Sequence, residues 1–166
     1  MILDEEVLAV VLAVTVVASV LGAALILRPE VVEPFTAIAL LNEECKMGDY
    51  PRHAAEGSNL TLCIYVYNHV GKPVYYMVVY KLGSAETLPT NTTPSPQKPL
   101  ASWRGVLGHG ENATFLVEVP VRAPSPGAVN ATLIFELWIY DTSTSSWSYT
   151  GRWVHLHVQL VSAQRA

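Results

Sequence analysis

The sequence predicts a mainly β chain, an immunoglobulin-like, adhesion-type β-sandwich of about seven strands preceded by one N-terminal transmembrane helix. Three observations carry this reading. Residues 7–27 contain no charge at all. From Pro34 onward the apolar residues come in short runs rich in β-branched and aromatic types, separated by Gly, Pro, Asn, Ser and Thr. Turn signals recur about every 8–12 residues, which is the spacing of a sandwich; a small barrel is the second choice.

The first segment, VLAVVLAVTVVASVLGAALIL over residues 7–27, is about 31 Å long as a helix, close to the ~30 Å hydrocarbon core of a bilayer. Thr15 and Ser19 are its only polar members, and their hydroxyls can bond the backbone one turn back. Asp4, Glu5 and Glu6 suit the helix N-terminus, and Arg28 with Pro29 closes it. A cleaved signal peptide has a basic start and a shorter core, which this segment lacks. A pilin-like helix packed in a filament core has the same composition and stays open as an alternative. The expected division is an anchor over 1–28, a linker over 29–34, an extracellular domain over 35–162 and a tail over 163–166.

The strands follow in order. Residues 35–41 enter the sheet. Residues 59–68 alternate Leu60, Leu62, Ile64 and Val66 against Thr61, Cys63, Tyr65 and Tyr67. A turn at 69–72 is expected to return the chain antiparallel over 74–82, a run apolar on both faces, as for a strand covered on both sides by the domain or by another subunit. The loop SAETLPTNTTPSPQKP over 84–99 is long, and so reads as flexible or as a recognition surface. Strands follow at 100–107, at 113–121 with Phe115, Val117, Val119 and Val121 inward, and at 131–140 with Leu133, Phe135, Leu137 and Ile139 inward. The last, 153–161, sets Val154, Leu156, Val158 and Leu160 against Trp153, His155, His157 and Gln159.

Composition excludes some functions. The chain has 166 residues, 14% of them charged, and a net charge of −4. No basic stripe with interleaved aromatics exists, so nucleic acid is not an expected partner, and no polybasic patch for lipid is present. The two cysteines, Cys45 and Cys63, lack the spacing of a metal knuckle; outside the cytoplasm they form one disulfide, and otherwise they are two buried thiols.

Four glycosylation triplets follow the anchor, headed by Asn59, Asn91, Asn112 and Asn130, each at a strand start or in a loop. They place the C-terminal domain outside the cell as a single-pass protein of the cell membrane. Arg28, the one cation near the anchor, points the other way under the positive-inside rule.

No enzyme motif is present: there is no G-x-S-x-G, no H-E-x-x-H, no P-loop and no dinucleotide fingerprint, so neither catalytic residues nor a cofactor is expected. His155 and His157 share one strand face and are the only metal candidates, but they need a third ligand. A blue-copper site does not fit, because Cys63 is mid-strand and the next Met after His69 is Met77, inside another strand. Asp49, Glu136 and Asp141 read as surface or turn residues. The aromatics Tyr65, Tyr67, Tyr76, Trp138, Tyr140 and Trp153 read either as cross-strand pairs or as a contact surface for a protein partner.

The stretches ILDEEVLAVVLAV, RPEVVEPFTAIALLNEECKMGDYP, NLTLCIYVYNHVGKPVYYMVVYKLG, FELWIYD and YTGRW together resemble archaeal membrane proteins of domain-of-unknown-function family 1616, over about Ile2 to Val158. The resemblance implies an archaeal cell-envelope protein with an extracellular immunoglobulin-like or adhesion-type domain and no assigned catalytic residues. It implies nothing about Cys45, because a Gly-rich segment is common where this chain has Glu43, Glu44 and Cys45. The expected function is a non-enzymatic, membrane-anchored structural or accessory module that contacts lipid and other envelope proteins or copies of itself. The alternatives are a filament or surface-layer subunit and a metal-binding or redox domain built on His155 and His157.

Overall fold

The computed structural model describes residues 4–28 and 33–162. Most of the expected linker and all of the expected tail, 29–32 and 163–166, lie outside the described residues, as do residues 1–3. The chain divides into two units, an N-terminal helix and a β domain, each described here by itself.

Helix α1 spans Glu5–Ile26, and none of its residues is buried. Thr15 Oγ1 donates to the Val11 carbonyl at 2.8 Å and Ser19 Oγ to the Thr15 carbonyl at 2.7 Å, so the two hydroxyls that interrupt the apolar run are satisfied within the helix. Leu27 N–H closes the last turn on the Ala23 carbonyl.

The β domain has eight strands: β1 Phe35–Leu41, β2 His53–Ala55, β3 Asn59–His69, β4 Val74–Gly83, β5 Pro99–Leu107, β6 Asn112–Pro120, β7 Asn130–Asp141 and β8 Ser146–Val161. They form a three-stranded sheet, β1-β3-β6, and a five-stranded sheet, β2-β8-β7-β4-β5. This order is an immunoglobulin-like sandwich whose first edge is split: β1 pairs with β3 in one sheet, and β2 runs parallel to the end of β8 in the other. The eighth strand is the three-residue β2, too short for an alternation to betray it.

The core fills as the alternation predicts. Leu62, Ile64, Val66, Val117 and Val119 of the smaller sheet meet Val78, Tyr80, Leu133, Phe135 and Leu137 of the larger one, all buried. Each such side chain stabilises the fold by roughly 1.5–3 kcal/mol through lost apolar exposure. Tyr80 stacks on Phe135 at 5.2 Å and crosses the sandwich to donate its hydroxyl to the Pro120 carbonyl at 2.8 Å.

Strand β4 does not return beside β3. The two lie in different sheets, and residues 70–73 form an arch between them. The reason is Asn68, which is fully buried. Its Nδ2 donates to the carbonyls of Lys72, Leu107 and Gly108 at 2.9–3.0 Å, and its Oδ1 accepts from Val70 N–H at 3.0 Å. One side chain thus satisfies backbone groups of both the arch and the β5–β6 turn, replacing the ladder bonds a hairpin would have made.

The second half of β4 is covered on both faces within its own domain. The core covers one, and residues 84–98 fold back over the other, where Val79 and Lys81 are buried. Cys45 and Cys63 form a disulfide with Cα atoms 5.2 Å apart, tying the segment after β1 to the outer face of β3. Asn42 organises the same segment, accepting at Oδ1 from the N–H groups of Glu44 and Lys46.

Candidate functional site

Because side chains alternate along a strand, the aromatics are sorted by parity. Tyr65 and Tyr67 stand half-buried on the outer face of the smaller sheet, whereas Trp138, Tyr140 and Trp153 stand on the outer face of the larger one. Tyr76, expected at the surface, points into the core with 5% exposure. Its ring lies over Gly105 on the neighbouring strand, where any Cβ would meet the phenol within 2.7–2.9 Å. The six aromatics therefore divide between the core and two surfaces on opposite sides of the sandwich.

The larger sheet carries the richer one. Tyr75, Tyr140 and Trp147 sit side by side across β4, β7 and β8, with Trp147 4.9 Å from Tyr75 and 5.4 Å from Tyr140, and the Arg104 guanidinium lies 5.4 Å from the Trp147 ring. One row further along, Trp138 stacks on Tyr149 at 5.4 Å. Offset and tilted pairs of this kind favour the rings' quadrupoles, and Arg104 adds a cation–π contact.

Beyond these rings lies a buried ion pair. Lys81 Nζ is 2.9 Å from Glu136 Oε2, with side-chain exposures of 6% and 0%. Glu136, expected at the surface, also accepts from Ser95 N–H at 2.6 Å and from Trp138 Nε1 at 3.1 Å, while Lys81 donates to the Ser95 carbonyl at 2.8 Å. Ser95 thus latches the long segment onto the sheet through both charges. A second attachment lies nearby: Tyr149 donates its hydroxyl to the Thr90 carbonyl at 2.8 Å. Gly151, at φ +71°, lets the Asn91 carbonyl approach where a Cβ would collide. The long loop, expected to be flexible or a recognition surface, is packed on the sheet at Thr90 and Ser95.

Burial raises the Tyr149 phenol to about 12, with the Glu136 charge adding to the effect. Tyr76 and Tyr80 are also held above the ordinary tyrosine range by burial. His155 is lowered, first by desolvation and then by its neighbour His157.

His155 and His157 share the outer face of β8, with ring centroids 4.7 Å apart. His155 lies against Trp153, and His157 Nδ1 is 2.8 Å from Thr132 Oγ1. Among the described residues no group of three or more His, Cys, Asp or Glu is placed to hold a metal ion. At the other side of the domain His69 and His109 stack at 4.7 Å, but the His109 Nδ1 accepts from Gly71 N–H and His69 Nδ1 meets the Tyr67 hydroxyl. Asp141 caps its turn by accepting from Ser143 N–H and Oγ, which holds its carboxyl below the usual range.

The four glycosylation asparagines, Asn59, Asn91, Asn112 and Asn130, are all exposed. Asn59 and Asn112 are on the smaller sheet, Asn130 starts β7, and Asn91 is in the packed segment.

Sequence reasoning missed Lys81, Ser95, Asn68 and Arg104. One signal was available for the first: Lys81 and Glu136 are opposite charges on two otherwise apolar runs, and the register sets them diagonally on adjacent strands.

Comparison with known proteins adds the family. No curated protein matches the sequence. Solved structures that resemble the chain include a β-glucosidase from Listeria innocua, at 10% identity and a TM-score of 0.49 over 78% of this chain and 16% of that one. They include a piece of native α2-macroglobulin from Escherichia coli, at 15% identity and 0.47 over 80% and 17%. They also include a CARDB domain from Pyrococcus furiosus in complex with di-metal ions, at 11% and 0.46 over 77% and 89%. The chain spans about a sixth of the first two. An apolar N-terminal helix of this length is the kind that serves as a membrane anchor or as a signal sequence. Residues 29–159, nearly the whole β domain, match the family described as Domain of unknown function (DUF1616), and the chain belongs to it.

Proposed function

We propose that the chain is a non-enzymatic, single-pass protein of an archaeal cell envelope, with α1 in the bilayer and the β-sandwich outside the cell as a structural or accessory module. The observation that carries the reading is a 22-residue helix with no buried residue, ahead of a β domain whose buried charges, Lys81 and Glu136, pair with each other. The exposure of all four asparagines supports sugar on one or more of them, and hence the outward placement. Half-exposed aromatic clusters on the outer faces supply contact surface for other envelope proteins.

Membrane fractionation of the full chain from its own cells tests this. A carbonate-resistant membrane protein of full length, with at least one triplet carrying sugar, is the expected result. A soluble chain lacking residues 1–28, or a protease-protected domain on the cytoplasmic side, overturns it.

A further inference from the structure

The four glycosylation triplets are alike in sequence, and the fold separates them. Three lie inside ladders: residues 59–61 pair with 118–120, residues 112–114 with 65–67, and residues 130–132 with 157–159. Asn59 Nδ2 also donates to Glu118 Oε1 at 3.0 Å. Thr132, the last member of its triplet, is 2% exposed, and its hydroxyl is 2.8 Å from His157 Nδ1. The triplet Asn91-Thr92-Thr93 belongs to no strand, and all three residues are exposed. Its backbone is held locally, with Thr90 Oγ1 accepting from the N–H groups of Thr92 and Thr93 at 3.3 and 3.0 Å. Asn91 also stands at the rim of a groove of about 430 Å³ between residues 35–38 of β1 and residues 151–153 of β8. That volume falls within the range of about 300–1,000 Å³ that holds a small organic molecule. Half-buried Trp153 and exposed Arg152 are part of its lining.

We infer that Asn91 is the site that takes sugar on the folded chain, and that the first sugar ring lies in this groove against Trp153 and Arg152. The inference rests on the proposed placement of the β domain outside the cell. An amide nitrogen is a weak nucleophile, because its lone pair is shared with the carbonyl. A transferase must therefore bend the triplet into its own cleft and hold both the amide and the hydroxyl two residues on. Asn91 Nδ2 then bonds the anomeric carbon of a phosphate-activated sugar. The anomeric C–O bond breaks, the phosphate leaves with that electron pair, and the nitrogen gives up one proton. A triplet in a ladder loses backbone hydrogen bonds on entering such a cleft, and the one that ends in Thr132 loses its burial as well. Residues 91–93 give up local bonds to Thr90 instead. Once attached, a pyranose presents an apolar C–H face and a rim of hydroxyls. An indole face with a guanidinium beside it matches both.

The test takes the full chain from its own cells and assigns sugar triplet by triplet, by mass spectrometry of intact glycopeptides. Occupancy at Asn91 several-fold above that at Asn59, Asn112 and Asn130 is expected. Equal or higher occupancy at any of those three overturns this inference alone. No sugar at any triplet overturns the outward placement with it. Acrylamide quenching of tryptophan fluorescence reads the groove. The sugar-bearing chain should be quenched less than Asn91→Gln, a change at an exposed side chain, and the difference should vanish when both chains carry Trp153→Phe. Equal quenching with and without the sugar, or a difference that survives Trp153→Phe, overturns the seat in the groove.

Discussion

Replacing Lys81 by Met would leave the Glu136 carboxylate, with none of its side chain exposed, without its counter-charge. Breaking a buried pair from one side costs about 3–5 kcal/mol, because the remaining charge stays desolvated. Glu136 keeps two donors, Ser95 N–H and Trp138 Nε1, so the loss should fall near the lower bound, about 3 kcal/mol. Against a typical domain stability of about 5–15 kcal/mol that is a large fraction. The double variant Lys81→Met, Glu136→Leu removes both charges; beyond the Ser95 carbonyl, already unmet in the single variant, it leaves the two donors without a partner, at about 1–3 kcal/mol, since the half-exposed Trp138 can turn to water. The second substitution should therefore restore stability rather than subtract more. Urea unfolding of the full chain in mild detergent, followed by tryptophan fluorescence with slopes compared between variants, measures both. Proteolytic nicking between residues 84 and 98 should rise in the single variant, because Ser95 loses the charge that holds its carbonyl. A single variant costing under about 1 kcal/mol, or costs that simply add, would refute the argument that this pair seals the segment to the sheet.

Three further outcomes are expected. Cys45→Ser with Cys63→Ala removes a cross-link between residues 18 apart in sequence, and should cost about 3 kcal/mol by loop entropy, read by the same unfolding curves and absent when both proteins are reduced. Asn68→Ala leaves three carbonyls and the Val70 N–H without their buried partner and should cost about 3 kcal/mol or more, with the steepest gain in hydrogen exchange at 68–74 and 107–111. Alkaline pH should weaken the fold: Tyr76, Tyr80 and Tyr149 hold their protons above the unfolded tyrosine value near 10, so the folded state binds more protons and stability falls from about pH 10 upward through 12. Tyrosinate absorbance should then show Tyr76, Tyr80 and Tyr149 ionising above the unfolded value, and their ionisation near pH 10 in the folded chain would contradict the assigned burial.

The β3, β6 and β7 strands were legible because one parity of each carries a continuous apolar row that meets the core, so Leu62, Val117 and Phe135 declare their faces. The path between β3 and β4 was not legible, since a four-residue turn between two apolar runs is compatible with a hairpin and with an arch. What decides is the long-range reach of Asn68 to Leu107 and Gly108. Tyr76 was misplaced because β4 is apolar on both parities, and only its pairing with Gly105 shows which phenol has room on the inside. Glu136 was misread for the same reason in reverse, as a lone acid reads as surface until a cation on the adjacent strand is brought diagonally beside it.

The split first edge also has a mechanical consequence. Phe35 begins β1 at one end of the sandwich, and Val161 finishes β8 at the other. Tension applied between Phe35 and Val161 therefore draws both strands along their own length. Force in that direction strains a row of ladder bonds together instead of opening them one after another, and the rate of forced unfolding is set by that simultaneous rupture. A fold strung in this way resists being stretched between those two ends.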